Sequence, residues 1–146
     1  MTDDKNAAKE LVETLRDGED GLRQSADKVR DEHAPWAETL ERYAQQRASF
    51  RQEIVDMGED YGDDVDESGS VAAKAHRGWV GLKDALTGDD ASAVLKAASD
   101  GEDHAVSEYE KALDQDLSDG FRQVVSRQHG EVRAARDEIK ALGNAG

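Results

Sequence analysis

The chain of 146 residues contains no cysteine and a single proline, Pro35. The lack of cysteine excludes disulfide bonds, thiolate catalysis and cysteine-ligated zinc or iron–sulfur centres. β-Branched residues are also sparse, whereas alanine, leucine, glutamate, lysine, arginine and glutamine are common, and this composition favours helix along the whole chain. The sequence therefore predicts an all-α fold, and its length suits one domain over residues 1–146.

Positive charge and long apolar runs are scarce as well. The 19 Lys and Arg residues against 34 Asp and Glu give a formal net charge of -15, which repels nucleic-acid phosphates and anionic lipid headgroups. No stretch approaches the roughly 20 apolar residues of a membrane span, and the first ten residues lack the apolar core of a signal peptide. We therefore expect a cytoplasmic protein that binds neither nucleic acid nor membranes, and most carboxylates are expected to solvate helix faces.

Apolar residues recur at steps of three and four along five segments, which indicates amphipathic helices. The segments are, in chain order, about 5–29, 36–58, 71–86, 90–114 and from about Ser118 to 142. Helix breaks are predicted at "RDEHAPWAE", at the polar run "GEDYGDDVDESGS" and at "TGDD". In the last of these, Gly88 is a predicted helix end and Asp89 or Asp90 the next N-cap.

The tetrapeptide "DGED" occurs twice, at residues 17–20 and 100–103, as if one helical hairpin were repeated. In two such hairpins the second and third long helices run parallel, so the link between them must travel roughly 35 Å, at about 1.5 Å per helical residue. The segment 59–89 is long enough, whereas an up-down bundle needs only a loop of a few residues. We therefore predict two antiparallel hairpins joined by a long crossover that contains a short extra helix.

Each long helix has one polar interruption in its apolar stripe. Counting from the turns places these residues at one interior level, and they are Glu19, Gln46, Glu102 and Gln128. Two buried carboxylates need a metal, a basic partner or protons, because like charge and low dielectric both disfavour ionisation. Arg47 is a basic partner in the right place, so a Glu–Arg–Gln hydrogen-bond network and a metal site that also uses Glu131 are alternatives.

The glycine before each of the two glutamates, Gly18 or Gly101, is expected to let a neighbouring helix or side chain approach closely. The aspartates that flank the glutamates are expected to face solvent. With one polar residue of each helix at the same level, Glu19 and Glu102 are expected to face each other across the bundle.

The histidines and one acidic loop are further candidates. His104 and His129 lie beside the polar level but off the apolar stripes, so we expect rim positions rather than metal ligation. His76, on the connector helix, is expected to pack or to hydrogen-bond. "DVDESG", from Asp64, imitates the start of a calcium loop, but Ala75 stands where a bidentate Glu belongs, so we interpret the run as an acidic turn. No phosphate-binding glycine loop, nucleophile elbow or triad order occurs.

Several motifs carry a resemblance to a known family. They are "DGE" in the first helix, "QR" in the second, "SGSVAAKAHRGWVGLKDALTG" in the connector, "GED" in the third long helix and "RQH" in the fourth. Over about residues 11–142 the chain resembles bacterial four-helix-bundle proteins of the ferritin-like superfamily that are grouped as a domain of unknown function. The resemblance implies a ferritin-like four-helix bundle and no established activity.

Ferritin-like di-iron proteins carry one Glu on the first and third helices and Glu-x-x-His on the second and fourth. Under the resemblance, Glu19 and Glu102 match the single Glu positions. The other helices depart from the pattern, because Gln46 is followed three residues later by Ser49, and Gln128 by Glu131. Iron prefers imidazole and several carboxylates, so this set of side chains is a poor iron site.

Two hypotheses about function follow. The first is a non-catalytic bundle that acts through its surface, as a stress-related or interaction protein. The second is a metal-binding or redox protein, a di-metal oxidoreductase in its enzymatic form, with iron or another divalent metal as cofactor. Its ligands would be Glu19, Gln46, Glu102, Gln128 and Glu131. A homodimer is compatible with both, with Trp36 or Trp79 at its interface or in the core at the ends of the bundle.

Overall fold

Five α-helices account for nearly all of the described chain. The structure, a computed structural model, describes residues 3–60 and 77–145, and within these ranges it contains no strand. The helices are α1 (Asp4–Val29), α2 (Ala34–Asp60), α3 (Leu82–Thr87), α4 (Ala91–Leu113) and α5 (Asp119–Ala145), with a 3-10 turn at Arg77–Trp79 before α3. The all-α prediction is confirmed for these residues, and the long helices begin and end within about three residues of the predicted positions.

Helix ends follow the local sequence. The Asp90 side chain accepts a hydrogen bond from the backbone N–H of Ser92 at 2.9 Å and caps α4, as predicted. Gly88 ends α3 in an extended conformation, with φ -92° and ψ -178°. At the other end of α4, Arg122 of α5 donates to the carbonyl of Leu113 at 2.8 Å, which satisfies one of the free carbonyls of that terminus.

The single connector helix predicted at 71–86 is wrong over its described part. The chain makes the 3-10 turn at Arg77–Trp79, passes through Val80 and Gly81, and begins α3 only at Leu82. Apolar residues three apart suit a 3-10 turn as well as an α-helix, and glycine disfavours a continuous helix here. His76 and the acidic loop of residues 64–75 lie outside the described residues.

Consecutive long helices form antiparallel hairpins, α1 with α2 and α4 with α5. The pairs that give the directions are Arg23–Glu41 and Arg51–Glu19 in the first hairpin, and Lys140–Asp103 and His129–Glu110 in the second. α1 also packs against α4, again antiparallel, since the Asp3 N–H donates to the carbonyl of Asp116 at 2.7 Å. α2 and α4 are therefore parallel, so the end of α2 and the start of α4 lie at opposite ends of the helices.

The core consists of two apolar clusters at different heights. One contains the first half of α1 and the second half of α2, with the buried residues Leu11, Leu15, Phe50, Ile54, Tyr109, Phe121 and Val125 among its members. The other contains the second half of α1 and the first half of α2, with Leu22, Ala26, Leu40, Trp79, Val94, Ala98 and Ile139 among its members. Arg47 and Glu102 are buried between the two clusters along α2 and α4.

Trp79 is buried between α1 and α4, with 3% of its surface exposed. A Cβ atom added to Gly21 would lie 2.4 Å from the indole ring, and one added to Gly101 would lie 2.2 Å from it. The predicted close approach at Gly101 is thus confirmed. At Gly18 the same test meets Arg47 only at 3.5 Å, an ordinary contact. Trp79 belongs to the core, whereas Trp36 is half-buried and stacks on His33.

Candidate functional site

A buried ion pair lies at the centre of the helices. Arg47 Nη1 donates to Glu102 Oε1 at 2.7 Å, and Arg47 Nη2 donates to Glu102 Oε2 at 2.6 Å. The two side chains are 1% and 0% exposed. Two parallel charge-assisted hydrogen bonds are the strongest arrangement that arginine and a carboxylate form. Because α2 and α4 are parallel and belong to different hairpins, this pair joins the two hairpins directly.

Both residues occupy positions that the helical repeat would give to apolar side chains. Arg47 comes three residues after Ala44 and seven before Ile54, both of which are fully buried. Glu102 lies between the buried residues Ala98 and Ala105 of α4. Two core positions are therefore occupied by charged residues, which destabilises a fold unless the charges are paired as they are here.

Arg47 stays positively charged although it is buried. Burial alone lowers the pKa of Arg47, but the charge of Glu102 and its hydrogen bonds outweigh burial, so the pKa is raised above the ordinary arginine value. The Nε atom of Arg47 donates to Gln46 Oε1 at 3.3 Å. Gln46 itself is only half-buried. Arg47, rather than Gln46, is thus the interior residue of this turn.

Glu19 does not face Glu102 across the core, which corrects the expected arrangement. Its carboxylate, 17% exposed, accepts from Arg51 at 2.6 Å and from Arg23 at 3.0 Å. The preceding residue, Gly18, takes the buried position, and Glu19 is rotated by about 100° away from it around the helix axis.

The aspartates of the repeated tetrapeptide are not all exposed to solvent. Asp20 and Asp100 are exposed, as expected, and Asp103 is partly exposed. Asp17, in contrast, is only 5% exposed. The expectation of a solvent-facing position is therefore wrong for Asp17, which lies one position before Gly18 on the same side of α1.

Gln128 is fully buried but lies at another height. It accepts a hydrogen bond from Tyr109 Oη at 2.7 Å and donates to Glu53 Oε1 at 2.8 Å and to the carbonyl of Phe50 at 3.4 Å. These partners place it in the first apolar cluster, away from Arg47. Burial raises the pKa of Tyr109, so its phenol remains a neutral donor. The single polar level predicted by counting is therefore wrong for Gln128, because within the α4–α5 hairpin Gln128 lies level with Tyr109, about two helical turns beyond Glu102 along α4.

The remaining candidates lie at the edge. Glu131 is exposed and pairs with Arg127 at 3.3 Å. His104 is partly exposed with Nε2 at 3.6 Å from Glu108, and His129 is partly exposed with Nε2 at 3.4 Å from Glu110. These are the rim positions expected of the two histidines. Over residues 3–60 and 77–145, no group of three or more His, Asp or Glu is arranged to hold a metal ion.

A comparison with protein-family models matches residues 4–115 to the family described as "Domain of unknown function (DUF2383)". The matched range is more than half of the chain, and it includes Arg47 and Glu102. The chain belongs to this family. Gln128 lies beyond the matched range, in α5 of this DUF2383 protein. A search of curated proteins finds no match. In the described part of the DUF2383 chain, no helix is both long and apolar enough to cross a membrane.

Proposed function

We propose that this DUF2383 protein is a ferritin-like bundle over residues 1–146 that acts as a non-catalytic interaction protein of the cytoplasm. One observation carries the proposal. The place where ligands from several helices would converge contains an arginine whose guanidinium binds both carboxylate oxygens of Glu102, at 2.7 and 2.6 Å. What a metal would neutralise in a ferritin-like centre is neutralised here by Arg47.

The order and direction of the helices support the ferritin-like part of the proposal. Two antiparallel hairpins, parallel α2 and α4, and a link of more than two dozen residues between them are the arrangement of bundles with one long crossover. The paired "DGED" motifs, one in each hairpin, support an internal repeat.

The chemistry of the donors does not fit a di-metal centre. A divalent cation beside Glu102 would have to displace two short hydrogen bonds and approach a buried positive charge. Glu19 is already paired with Arg51 and Arg23 outside this level. Gln128 offers a neutral amide that is engaged with Tyr109. Because the interior polar groups are already paired with each other, the exposed and strongly acidic helix faces are the surface through which the protein would act.

Metal analysis tests this proposal. Protein purified without chelator is assayed for bound metal and for Fe(II) oxidation, alongside the variant Glu19→Ala with Glu102→Ala. The matched control, Asp20→Ala with Asp100→Ala, removes two exposed carboxylates from the same two motifs. We expect no stoichiometric metal and Fe(II) oxidation at the buffer rate for all three proteins. Stoichiometric metal that is retained in the control and lost in the Glu variant would establish the metal-binding alternative instead.

A further inference from the structure

We infer that the slot between Gly21 and Gly101 is a binding site for one flat, two-ring aromatic group. Its resident ligand is the chain's own Trp79, so the 3-10 turn Arg77–Trp79 is held to the bundle as an intramolecular ligand. The inference is independent of whether the centre of the bundle binds metal.

The fit is specific to the centre of an indole. The Cβ position of Gly21 lies 2.5 and 2.8 Å from Trp79 Cδ2 and Cε2, the two atoms shared by both rings. The Cβ position of Gly101 lies 2.5 and 2.2 Å from the same two atoms. Real Cβ atoms do not approach this closely, so any side chain larger than hydrogen at either position would push the ring out. The backbones of α1 and α4 thus form the two walls of a slot, and both walls contact the indole at the bond shared by its two rings.

After the ring, the backbone adds no close contact to this docking. Val80 is 80% exposed, and a Cβ added to Gly81 would meet nothing within 4 Å. On the other side, Gly78 packs closely on the side chain of His104. The ring itself carries the apolar contact, because an indole buries far more area than Gly78 or the exposed Val80. A free aromatic molecule of the same shape should therefore occupy the slot once the side chain is removed.

Indole is the probe, and Trp79→Ala is the vacated protein. Apolar cavities in helical proteins stay available to apolar ligands that match their shape. We expect saturable 1:1 binding of indole to Trp79→Ala by calorimetry. Its Tm should rise by about 4 °C at a free indole concentration about tenfold above Kd. The wild-type protein, with the slot occupied, should show neither effect.

Two controls make the test specific. In Trp79→Ala with Gly101→Leu, the new side chain fills the slot, so indole binding should disappear. Adamantanol, which is apolar but not flat, should give no Tm shift with Trp79→Ala. Binding of indole to the filled variant, or its absence from folded Trp79→Ala, would overturn the inference. If Trp79→Ala folds only partly, added indole should restore its helical circular dichroism, and failure to do so would overturn the inference as well.

Discussion

Removal of Arg47 is the most direct test of the role of the buried ion pair. Arg47→Met keeps an unbranched apolar chain in the core but leaves Glu102, which is 0% exposed, without its cation. Breaking a buried pair from one side costs about 3–5 kcal/mol. The carboxyl group can limit that cost by taking up a proton. For an ordinary glutamate, with a pKa of about 4.3, protonation at pH 7 costs about 3.7 kcal/mol at 1.36 kcal/mol per unit.

The expected loss at pH 7 is therefore about 4 kcal/mol, and it has a characteristic pH dependence. The folded variant holds a proton that the unfolded chain does not hold at pH 7, so its stability relative to wild type improves by about 1.4 kcal/mol per pH unit towards pH 5. Glu102→Leu leaves the guanidinium alone instead. Arginine cannot lose its proton in this range, so the loss in that variant should not recover on acidification.

Urea denaturation at pH 7 and pH 5, with each variant compared with wild type at the same pH, measures these differences. Arg47→Met combined with Glu102→Leu removes both charges and should lie within about 2 kcal/mol of wild type, or above it. The control Arg42→Met breaks the exposed pair with Glu138 and should cost less than about 1 kcal/mol. A loss below about 1 kcal/mol for Arg47→Met, or a loss that does not change with pH, would refute the reasoning.

Three further predictions concern other parts of the fold. Burial first, then the hydrogen bond and charge of Glu138, raise the pKa of Tyr43 to about 12. A free tyrosine titrates at about pH 10. The contribution of neutral Tyr43 to the stability of the fold is therefore complete below pH 10 and is lost as the pH rises through 12. The tyrosinate absorbance of Tyr43, measured as the difference between wild type and Tyr43→Phe, should therefore appear near pH 12. In Glu138→Gln the midpoint of this titration should fall towards 10, and an unchanged midpoint contradicts this cause. Asp4→Ala removes the acceptor of the Ser118 N–H and hydroxyl, at 2.9 and 2.6 Å, and should lower the free energy of unfolding in urea by about 1–2 kcal/mol. Gly130→Ala, where a Cβ meets nothing within 4 Å, should raise Tm because alanine favours helix by about 1 kcal/mol; a lower Tm would show a contact at this position.

The helices could be predicted from the sequence because their stripes are regular and their ends carry ordinary signals such as Asp90 and Gly88. The sequence predicts Glu102 and Gln128 as interior residues and both are buried, whereas in α1 and α2 the prediction is wrong by one residue. Where a stripe misses a step, periodicity does not distinguish Gly18 from Glu19 or Gln46 from Arg47, since neighbours differ by only about 100°. Tertiary packing makes that choice.

Two other features lay beyond the sequence for a different reason. The height of Gln128 depends on how α5 is aligned against α4, and counting from the turn places it level with Glu102 instead of Tyr109. The slot for Trp79 depends on the meeting of α1 and α4, elements 80 residues apart at Gly21 and Gly101. Glycine inside a helical pattern is a signal for close approach, but it does not identify the ring that approaches.

The ion pair also bears on how the chain reaches its native state. Arg47 and Glu102 are 55 residues apart and belong to hairpins that can each form from local contacts. In the native structure each of these two charges takes its partner from the other hairpin. A docking that buries the two side chains apart from each other would leave both charges without a partner, at a cost comparable to much of a domain's stability. The pair therefore favours the alignment in which the two side chains meet, and it is completed only when both hairpins have met.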